Sequence, residues 1–523
     1  MLDAIIIGGG HNGLVCANYL AMSGKSVCVL ERRSIIGGAA VTEEFHPGFR
    51  NSVASYTVSL LNPKIIKDLK LHDHGLKIVE RAVNNLWVHE GGDFLAFPVG
   101  EADLKAEIAL FSKRDAEALE RYFRDISMVA DIIRDFLLKS PPNVGGGLRD
   151  IFKAATMGNK VRKLSLEDQR IVMDVFTKSV ADFLAQYFEN DFVKGAFAFD
   201  GIVGNYADSQ TPGTADVLMH HAFGEVNGKK GVWGHAIGGM GAITQAMAKS
   251  AREKGVDVQT DAPVKKVIIE GARAVGVLLE DGRTLKARTI ISNLNPSQLY
   301  NAMVDAEHLP EDFARRMTHY KNGSGTFRMN VALNSLPQFT CLAAQDRATQ
   351  AHLTGGIVIG PTLDYIDRAY RDAKTRGWSR APIIEMLIPS TLDDSLAPKG
   401  QHVASLFCQQ FDPDVDWDTH RENVADLILD QIELYAPGFK ASVVGRQILS
   451  PLDLERVFGL TKGDIMHGHL SLDQMFSARP LLGHGNYRAP VKNLYMCGAG
   501  THPGGGVTGV PGHNAAREVL RDI

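Results

Sequence analysis

The chain has 523 residues, of which 45% are hydrophobic and 22% are charged, a composition typical of a globular protein that divides into two or three domains. Its formal net charge of -4 gives no reason to expect a nucleic acid as a partner. The five cysteines form no CxxC pair, which excludes a disulfide-reductase mechanism, and no signal peptide or apolar run of ~20 residues is evident, so we expect a cytoplasmic protein.

A glycine-rich turn follows the first apolar segment of the chain. The segment 4–7 (Ala-Ile-Ile-Ile) predicts a buried strand, and the next residues have the spacing GxGxxG. Gly8 permits a sharp turn, Gly10 lets the backbone approach a pyrophosphate, and Gly13 lets a helix over 14–22 pack closely on the strand. Because the N-terminus of a helix favours negative charge, this turn predicts a phosphate site.

An acidic residue ends the second predicted strand. This strand covers 27–30 and is followed by Glu31, which lies 18 residues after Gly13. A carboxylate at this position accepts hydrogen bonds from an adenosine ribose. The turn, the two strands and the acid together predict a site for an adenine dinucleotide, and they leave NAD and FAD as alternatives.

The segment 31–39 (Glu-Arg-Arg-Ser-Ile-Ile-Gly-Gly-Ala) bears on that choice. Gly37 and Gly38 provide a second close approach of the backbone, and Arg33 is near enough to offset phosphate charge. This E-x-R-x-x-x-G-G element resembles the one found in the FAD-dependent amine oxidase and phytoene desaturase superfamily. The resemblance implies that the cofactor is FAD.

A second glycine turn lies near the far end of the chain. A predicted strand over 493–497 is followed at 498–506 by Gly-Ala-Gly-Thr-His-Pro-Gly-Gly-Gly, and a helix is expected from near Gly512. The string resembles the flavin-closing motif of phytoene desaturase relatives. Many superfamily members have Gly-Asp where this chain has Gly498-Ala499, so backbone N–H groups are expected to replace an acidic contact there. Shorter segments are similar to the pyridine nucleotide-disulfide oxidoreductase domain-containing protein 2 group, namely 39–44, 55–56, 466–468, 471–474 and 478–480.

The resemblance implies an α/β fold in which a discontinuous Rossmann-like FAD-binding domain carries an inserted α+β substrate domain. We expect the FAD-binding segments at 1–60, 231–300 and 456–523, and the two parts of the substrate domain at 61–230 and 301–455. The expected cofactor-binding residues are Gly8, Gly10, Asn12, Gly13, Glu31, Arg32, Arg33, Gly37, Gly38, Ala39, Val264, Gly498, Gly506 and Val507.

The middle of the chain carries weaker signals. Ser112 to Asp115 predicts a capping box before a helix over 116–131, and a strand pair is expected from Phe94 onward. The basic stretch 153–163, with apolar residues interleaved, is either a solvated face or a peripheral contact with a membrane surface. Gly239-x-Gly241 lacks the third glycine of a dinucleotide motif and predicts a helix start. We therefore expect no dedicated NAD(P)H domain, and an electron acceptor such as oxygen or a quinone.

Candidates for catalysis are few, because a flavin accepts a hydride without a protein nucleophile. His502 lies in the second glycine turn and Tyr56 shortly after the glycine pair, with purely structural roles as the alternative for both. The histidine pairs at 220–221 and 467–469 lack metal-ligand spacing, so no metal is expected. An oligomer is possible, and three functions fit: a desaturase, dehydrogenase or isomerase acting on an apolar substrate, an amine oxidase-like enzyme, and a flavin-containing interaction protein without catalysis.

Overall fold

The computed structural model describes residues 1–89, 92–343, 350–360 and 362–523, and two seven-stranded sheets organise these residues. In the first sheet, five strands run parallel and two form an antiparallel extension. The strands in spatial order are Asp257–Gln259, Val27–Leu30, Leu2–Ile7, Thr284–Ser292, Arg273–Leu279 and Val264–Glu270, and Leu494–Met496 also pairs with Thr284–Ser292. Residues 4–7 of the strand Leu2–Ile7 are all apolar because both faces are packed: Ile6 belongs to the same buried cluster as Cys16, and Ile5 to the same buried cluster as Val267.

The glycine turn leads into the helix His11–Met22, which begins before the predicted start at residue 14. Gly10 is the N-cap, with extended backbone (φ -72°, ψ 170°) and no side chain to satisfy the first N–H groups. The helices Gly241–Glu253 and Val510–Asp522 pack against this helix. The second of them comes so close that a Cβ on Gly512 would lie 2.1 Å from the carbonyl oxygen of Asn12. The two ends of the chain are thereby packed together beside the turn.

The second sheet is antiparallel except where Gly356–Ile359 runs parallel to Val83–Val88. Its strands in spatial order are Val443–Leu449, Thr326–Leu333, His402–Phe411, Trp378–Leu387, Gly356–Ile359, Val83–Val88 and Phe94–Pro98. Three two-stranded sheets complete the strands described: Thr42–His46 with Phe49–Ser52, Ile78–Glu80 with Gly234–Ala236, and Glu225–Val226 with Lys229–Lys230. The mixed α/β architecture expected from the sequence is confirmed.

Three predictions about the segment 83–137 need correction. The strand pair lies at 83–88 and 94–98, so Phe94 begins its second strand, and the helix predicted over 116–131 extends over Lys113–Leu137. Only half of the capping box forms: Ser112 Oγ accepts a hydrogen bond from the Asp115 N–H at 3.1 Å. The Asp115 carboxylate instead accepts from the backbone N–H groups of Glu189 and Asn190, which a neighbouring segment brings to it.

Further helices surround the two sheets. They are Pro63–Asp68, Glu101–Ala109, Leu148–Arg162, Leu166–Thr177, Val180–Leu184, Asp191–Ala198, Thr214–Ala222, Pro296–Gln298, Glu311–Met317, Thr340–Ala343, Leu363–Arg376, Trp417–Tyr435, Phe439–Ser442 and Pro451–Phe458. The helix Leu148–Arg162 contains the basic stretch up to residue 162 and has no buried residue. Searching the described residues yields no helix whose length and apolar character suit a bilayer span.

Asp393 links a loop of the second sheet to the segment that precedes the helix Gly241–Glu253. Its carboxylate accepts hydrogen bonds from the Gly238 N–H at 2.6 Å and from the Ser395 hydroxyl at 2.6 Å, and it lies 3.2 Å from His235 Nε2. Burial opposes ionisation, but these partners outweigh it and hold the pKa of Asp393 well below its ordinary value. The ionised carboxylate therefore stabilises the fold at pH values above the ordinary carboxyl pKa of ~3.9, and this contribution is lost as the pH falls below it.

We expect Asp393→Asn to lower the urea midpoint of unfolding at about pH 7. The difference in midpoint between the variant and the wild type should become smaller as the pH approaches about 3. The matched control is Asp394→Asn, because Asp394 is the exposed neighbour. Urea unfolding of both variants at several pH values checks this. A gap that stays constant with pH would contradict an ionic role for Asp393.

Candidate cofactor and substrate cavity

A cavity of about 340 Å³ runs from the glycine turn of the first sheet to the face of the second sheet. Its volume lies within the range of small-molecule sites, roughly 300–1,000 Å³. The end near the first sheet is lined by Gly8, Gly10, Asn12, Glu31, Arg32, Arg33, Gly38, Ala39, Val264 and Asn293, among others. The end near the second sheet is lined by Tyr56, Phe199, Asp200, Val217, His220, His221, Arg328, Glu385 and Phe407, among others. The two ends belong to one continuous space.

At the first end, two glycine segments lie side by side. The Gly37 N–H donates to the Gly9 carbonyl oxygen at 3.1 Å, so the pair at 37–38 sits against the first turn. Glu31 fixes this junction, because its carboxylate accepts hydrogen bonds from the Gly9 N–H at 2.9 Å and the Arg33 N–H at 3.0 Å. Gly38 has φ +58°, a conformation that a side chain disfavours. Backbone rather than side chains therefore forms much of the wall here.

Several buried polar atoms of this cavity have no hydrogen-bond partner in the part of the chain that the structure describes. They include His11 Nε2, Asn12 Oδ1, Arg33 Nη1, Gln298 Oε1 and His467 Nδ1. Burial lowers the pKa of both His11 and His467 to about 4, so both imidazoles are neutral near pH 7. Buried polar groups are normally hydrogen-bonded, so this set points to a polar ligand. A dinucleotide fits this mixed set, because its phosphates accept from Arg33 Nη1 and from bare backbone N–H groups while its hydroxyl and amide N–H groups donate to the amide oxygens of Asn12 and Gln298.

At the other end, Tyr56 joins the cavity to the second sheet. Its hydroxyl donates a hydrogen bond of 2.5 Å to Glu385 Oε2, and its ring stacks on Phe407 with centroids 5.5 Å apart. Burial, followed by the nearby Glu385 charge, raises the pKa of Tyr56 well above its ordinary value, so the phenol keeps its proton. Phe199 and Val217 supply apolar wall nearby.

A histidine pair and an aspartate border the same end. His221 stacks on Trp233 with centroids 5.0 Å apart, and its Nε2 lies 3.6 Å from Asp200 Oδ1. Burial lowers the pKa of His221 to about 3 and that of His220 to about 4, and burial raises the pKa of Asp200 well above its ordinary value. The two imidazoles are therefore neutral near pH 7, and burial favours the protonated form of Asp200. The described residues contain one cluster with metal-ligand geometry, Asp305, Glu307 and His308, and none of these three lines the cavity.

Comparison with known proteins decides the family. The profile described as flavin containing amine oxidoreductase matches residues 13–327, which is more than half of the chain. The chain belongs to this family.

Two relatives and one solved structure show how far the similarity extends. The chain is 39% identical to pyridine nucleotide-disulfide oxidoreductase domain-containing protein 2 of Rattus norvegicus, covering 100% of this chain and 94% of the relative. It is 25% identical to a lycopene-forming phytoene desaturase of Pseudescherichia vulneris, and the similarity covers 98% of this chain and 97% of the relative. A triple mutant of putrescine oxidase has the same fold, with a TM-score of 0.64 and 15% identity. The match covers 100% of this chain and 98% of the putrescine oxidase chain. The predicted superfamily and Rossmann-like fold class are confirmed, and the chain is a flavin-dependent oxidoreductase.

In this flavoprotein, the residues expected at the cofactor divide into two groups. Those that line the cavity are Gly8, Gly10, Asn12, Glu31, Arg32, Arg33, Gly38, Ala39, Val264, Gly506 and Val507. The other three, Gly13, Gly37 and Gly498, lie outside the lining. An added Cβ would lie 2.3 Å from the Gly8 carbonyl oxygen at Gly13, 2.7 Å from that of Ala40 at Gly37, and 2.8 Å from that of Asn293 at Gly498. The three glycines outside the lining therefore shape the turns that form it.

The two arginines after Glu31 already have protein partners. Arg32 donates to the carbonyl oxygens of Arg456 and Val457 at 3.0 and 2.8 Å. Arg33 forms an ion pair with Glu43 at 2.7 Å and lies over the Phe458 ring. Both residues nevertheless line the cavity, and Nη1 of Arg33 keeps no hydrogen-bond partner among the described residues.

The two residues expected at the reacting end are placed differently. Tyr56 lines the cavity. His502 is not among the described residues that line it: its Nε2 lies 3.4 Å from the Phe136 carbonyl oxygen and its ring meets Phe476 edge-on. Burial lowers the pKa of His502 to about 4, so this imidazole is neutral near pH 7. A role of His502 at the reacting centre stays a prediction.

Sequence reasoning missed Arg328, Glu385 and Asp200. Arg328 is the single charged residue of the strand Thr326–Leu333, Glu385 is the single charged residue of the segment 381–387 within the strand Trp378–Leu387, and both are buried. A lone charge in a buried strand is expensive unless it has a partner or a function, and that is the signal that identifies these positions in the sequence.

Proposed function

We propose that this flavin-dependent oxidoreductase binds FAD and removes a hydride from a C–H bond of a largely apolar substrate, in a desaturase or dehydrogenase reaction. The observation that carries the proposal is the continuous cavity, with a dinucleotide cradle at one end and apolar wall at the other. The phytoene desaturase relative, similar along nearly the whole chain, supports an apolar substrate. Bound FAD would supply the hydride acceptor.

The chain's own residues have distinct tasks in this proposal. The segment 8–13 and Gly38 present backbone to the phosphates, and Glu31 lies where the adenosine ribose is expected. Phe199, Val217 and Phe407 orient an apolar substrate and exclude water. The electrons removed from the substrate leave to an external acceptor, oxygen or a quinone.

An amine substrate has less support. An amine oxidase site is expected to surround a neutral amine with facing aromatic rings. Here Tyr56 and Phe407 stack on each other, and the guanidinium of Arg328 lies over the Tyr56 ring at 4.5 Å. A cation at this position disfavours an amine that becomes positively charged.

Anaerobic mixing of the purified yellow protein with polyenes, hydrophobic alcohols and amines tests the proposal. We expect a polyene or an alcohol to bleach the flavin absorbance and the amines to leave it unchanged. Bleaching by amines alone, or by none of the compounds, would contradict the substrate class. Extraction of the cofactor and its mass identify FAD, and a colourless protein that takes up no FAD would overturn the cofactor assignment.

A membrane surface is the proposed source of such a substrate. Leu148, Ile151 and Phe152 share one face of the exposed helix Leu148–Arg162 and are 85%, 62% and 74% exposed. Arg149, Arg162 and Lys163 are exposed on or next to this helix and complement an anionic phospholipid surface, whereas Lys153 is paired with Asp150 at 2.9 Å. The occupant of this face is therefore proposed to be an anionic bilayer.

We expect the double variant Ile151→Asp, Phe152→Asp to weaken co-sedimentation with phosphatidylglycerol vesicles roughly tenfold or more, because apolar contact is lost and negative charge is added. Leu434→Asp is the matched control, since Leu434 is 72% exposed on another helix. Equal binding of the wild-type protein to phosphatidylcholine and phosphatidylglycerol vesicles, or to neither, would contradict the proposal.

A further inference from the structure

A buried guanidinium forms part of the cavity wall on the second sheet. Arg328, Phe407 and Glu385 occupy paired positions on three adjacent strands, so Phe407 stands between the two charged residues. Arg328 is 1% exposed, and its Nη2 donates to Ser405 Oγ at 2.7 Å. Its Nε and Nη1 have no hydrogen-bond partner within the described ranges. The Tyr56 ring covers a face of the guanidinium, but the N–H groups lie in the guanidinium plane and that contact does not satisfy them.

The charges near Arg328 do not balance. Burial raises the pKa of Glu385, whereas its hydrogen bond with Tyr56 and the charges of Arg81 and Arg328 favour the ionised form. Even when Glu385 is ionised, this one carboxylate faces two guanidiniums, those of Arg81 and Arg328. No carboxylate of the described residues lies within the 4.0 Å ion-pair distance of Arg328. Burying a guanidinium with unpartnered N–H groups is unfavourable, so a negative partner from outside the protein would complete this wall.

We propose that Arg328 binds a carboxylate group of the substrate, so that the substrate is an amphipathic acid with an apolar body. The inference rests on the proposed function, since it places the substrate in the same cavity. The unpaired Nε–H and Nη1–H groups of Arg328 lie on different edges of the guanidinium, and either one can donate a charge-assisted hydrogen bond to a carboxylate oxygen. The apolar body would lie along Phe199, Val217 and Phe407, which line the same end.

Binding rather than turnover tests this assignment, so its failure is separate from a failure of the proposed reaction. The holoprotein is titrated with decanoate, decanol and decylamine, and binding is followed by calorimetry and by the change in flavin absorbance. We expect decanoate to bind roughly 10- to 100-fold more tightly than decanol, which is the range of a charge-assisted hydrogen-bonded pair. Equal binding of decanoate and decanol, or tighter binding of decylamine, would overturn the assignment.

Two variants locate the effect. Arg328→Gln is expected to remove the preference for decanoate over decanol while the flavin content stays at the wild-type ratio. Glu385→Gln is expected to tighten decanoate binding, because it removes the opposing carboxylate. Loss of flavin from Arg328→Gln with the preference for decanoate retained would show that Arg328 serves the cofactor instead. If Arg328→Gln does not fold, the wild-type comparison and Glu385→Gln still decide the outcome.

Discussion

Gly13→Ala is expected to produce a protein that purifies without flavin. A Cβ on Gly13 would lie 2.3 Å from the Gly8 carbonyl oxygen and 3.3 Å from Ile6 Cγ2, both of which belong to the strand and turn that the helix packs on. The Gly8 carbonyl is backbone, and Gly8 itself has φ +97°, so the clash is relieved only if the turn or the helix moves. Either movement displaces the N–H groups proposed to face the phosphates. We expect flavin occupancy, measured as the ratio of absorbance near 450 nm to that near 280 nm, to fall at least about tenfold.

Gly158→Ala is the matched control for this substitution. Gly158 lies within the exposed helix Leu148–Arg162 and has no atom within 4 Å of the added Cβ. Alanine at such a position favours the helix by about 1 kcal/mol, so the control should keep full flavin content and equal or higher thermal stability. Stoichiometric flavin in purified Gly13→Ala would show that the turn tolerates the side chain, and the packing argument would be wrong.

The dinucleotide cradle is the part of this molecule that sequence reasoning describes best, because unusual backbone geometry requires a particular residue type. Gly8, Gly37 and Gly506 have φ values of +97°, +137° and +90°, which other residues rarely adopt. Local spacing therefore reveals the turns and the helix starts that follow them. Spacing does not determine the direction in which a side chain in a turn points. The position of His502 in the second glycine turn predicts a cavity residue, whereas the structure packs its ring beside Phe136 and Phe476.

The substrate end depends on contacts between segments that are distant in sequence. The row Arg328, Phe407 and Glu385 exists because three strands pair in a particular register, and nothing local to any one strand specifies that register. Part of the signal is visible: Thr326, Arg328 and Asn330 alternate within a buried strand and so share one face. The capping box is incomplete for a similar reason. The Asp115 carboxylate accepts hydrogen bonds from the backbone of Glu189 and Asn190, which lie more than 70 residues further along the chain.

Arg479→Met is expected to destabilise the fold and to loosen the second glycine turn, residues 498–506, called the closing turn below. Arg479 is 1% exposed, and its guanidinium donates to four carbonyl oxygens, those of Ala499 at 3.0 Å, Gln474 at 3.0 Å, Met466 at 2.6 Å and Gly468 at 3.3 Å. One side chain thereby joins the closing turn to the segment 466–474, in which Met466 and His467 line the cavity. Methionine fills similar volume but leaves these carbonyls unsatisfied, so we expect a loss of about 3–5 kcal/mol in the free energy of unfolding.

Arg316→Met is the matched control, because Arg316 is 35% exposed, donates to one carbonyl oxygen, that of Leu482, and otherwise forms a loose ion pair with Asp312 at 3.8 Å. Its cost is expected to be below about 1 kcal/mol. Urea unfolding of the two holoproteins, together with the rate of flavin release, checks both values. Arg479→Lys should recover only part of the stability, because a single ammonium group cannot reach carbonyls on both segments in the fixed geometry of a guanidinium. Full recovery by lysine would show that a buried positive charge, rather than the planar set of donors, is what holds the closing turn.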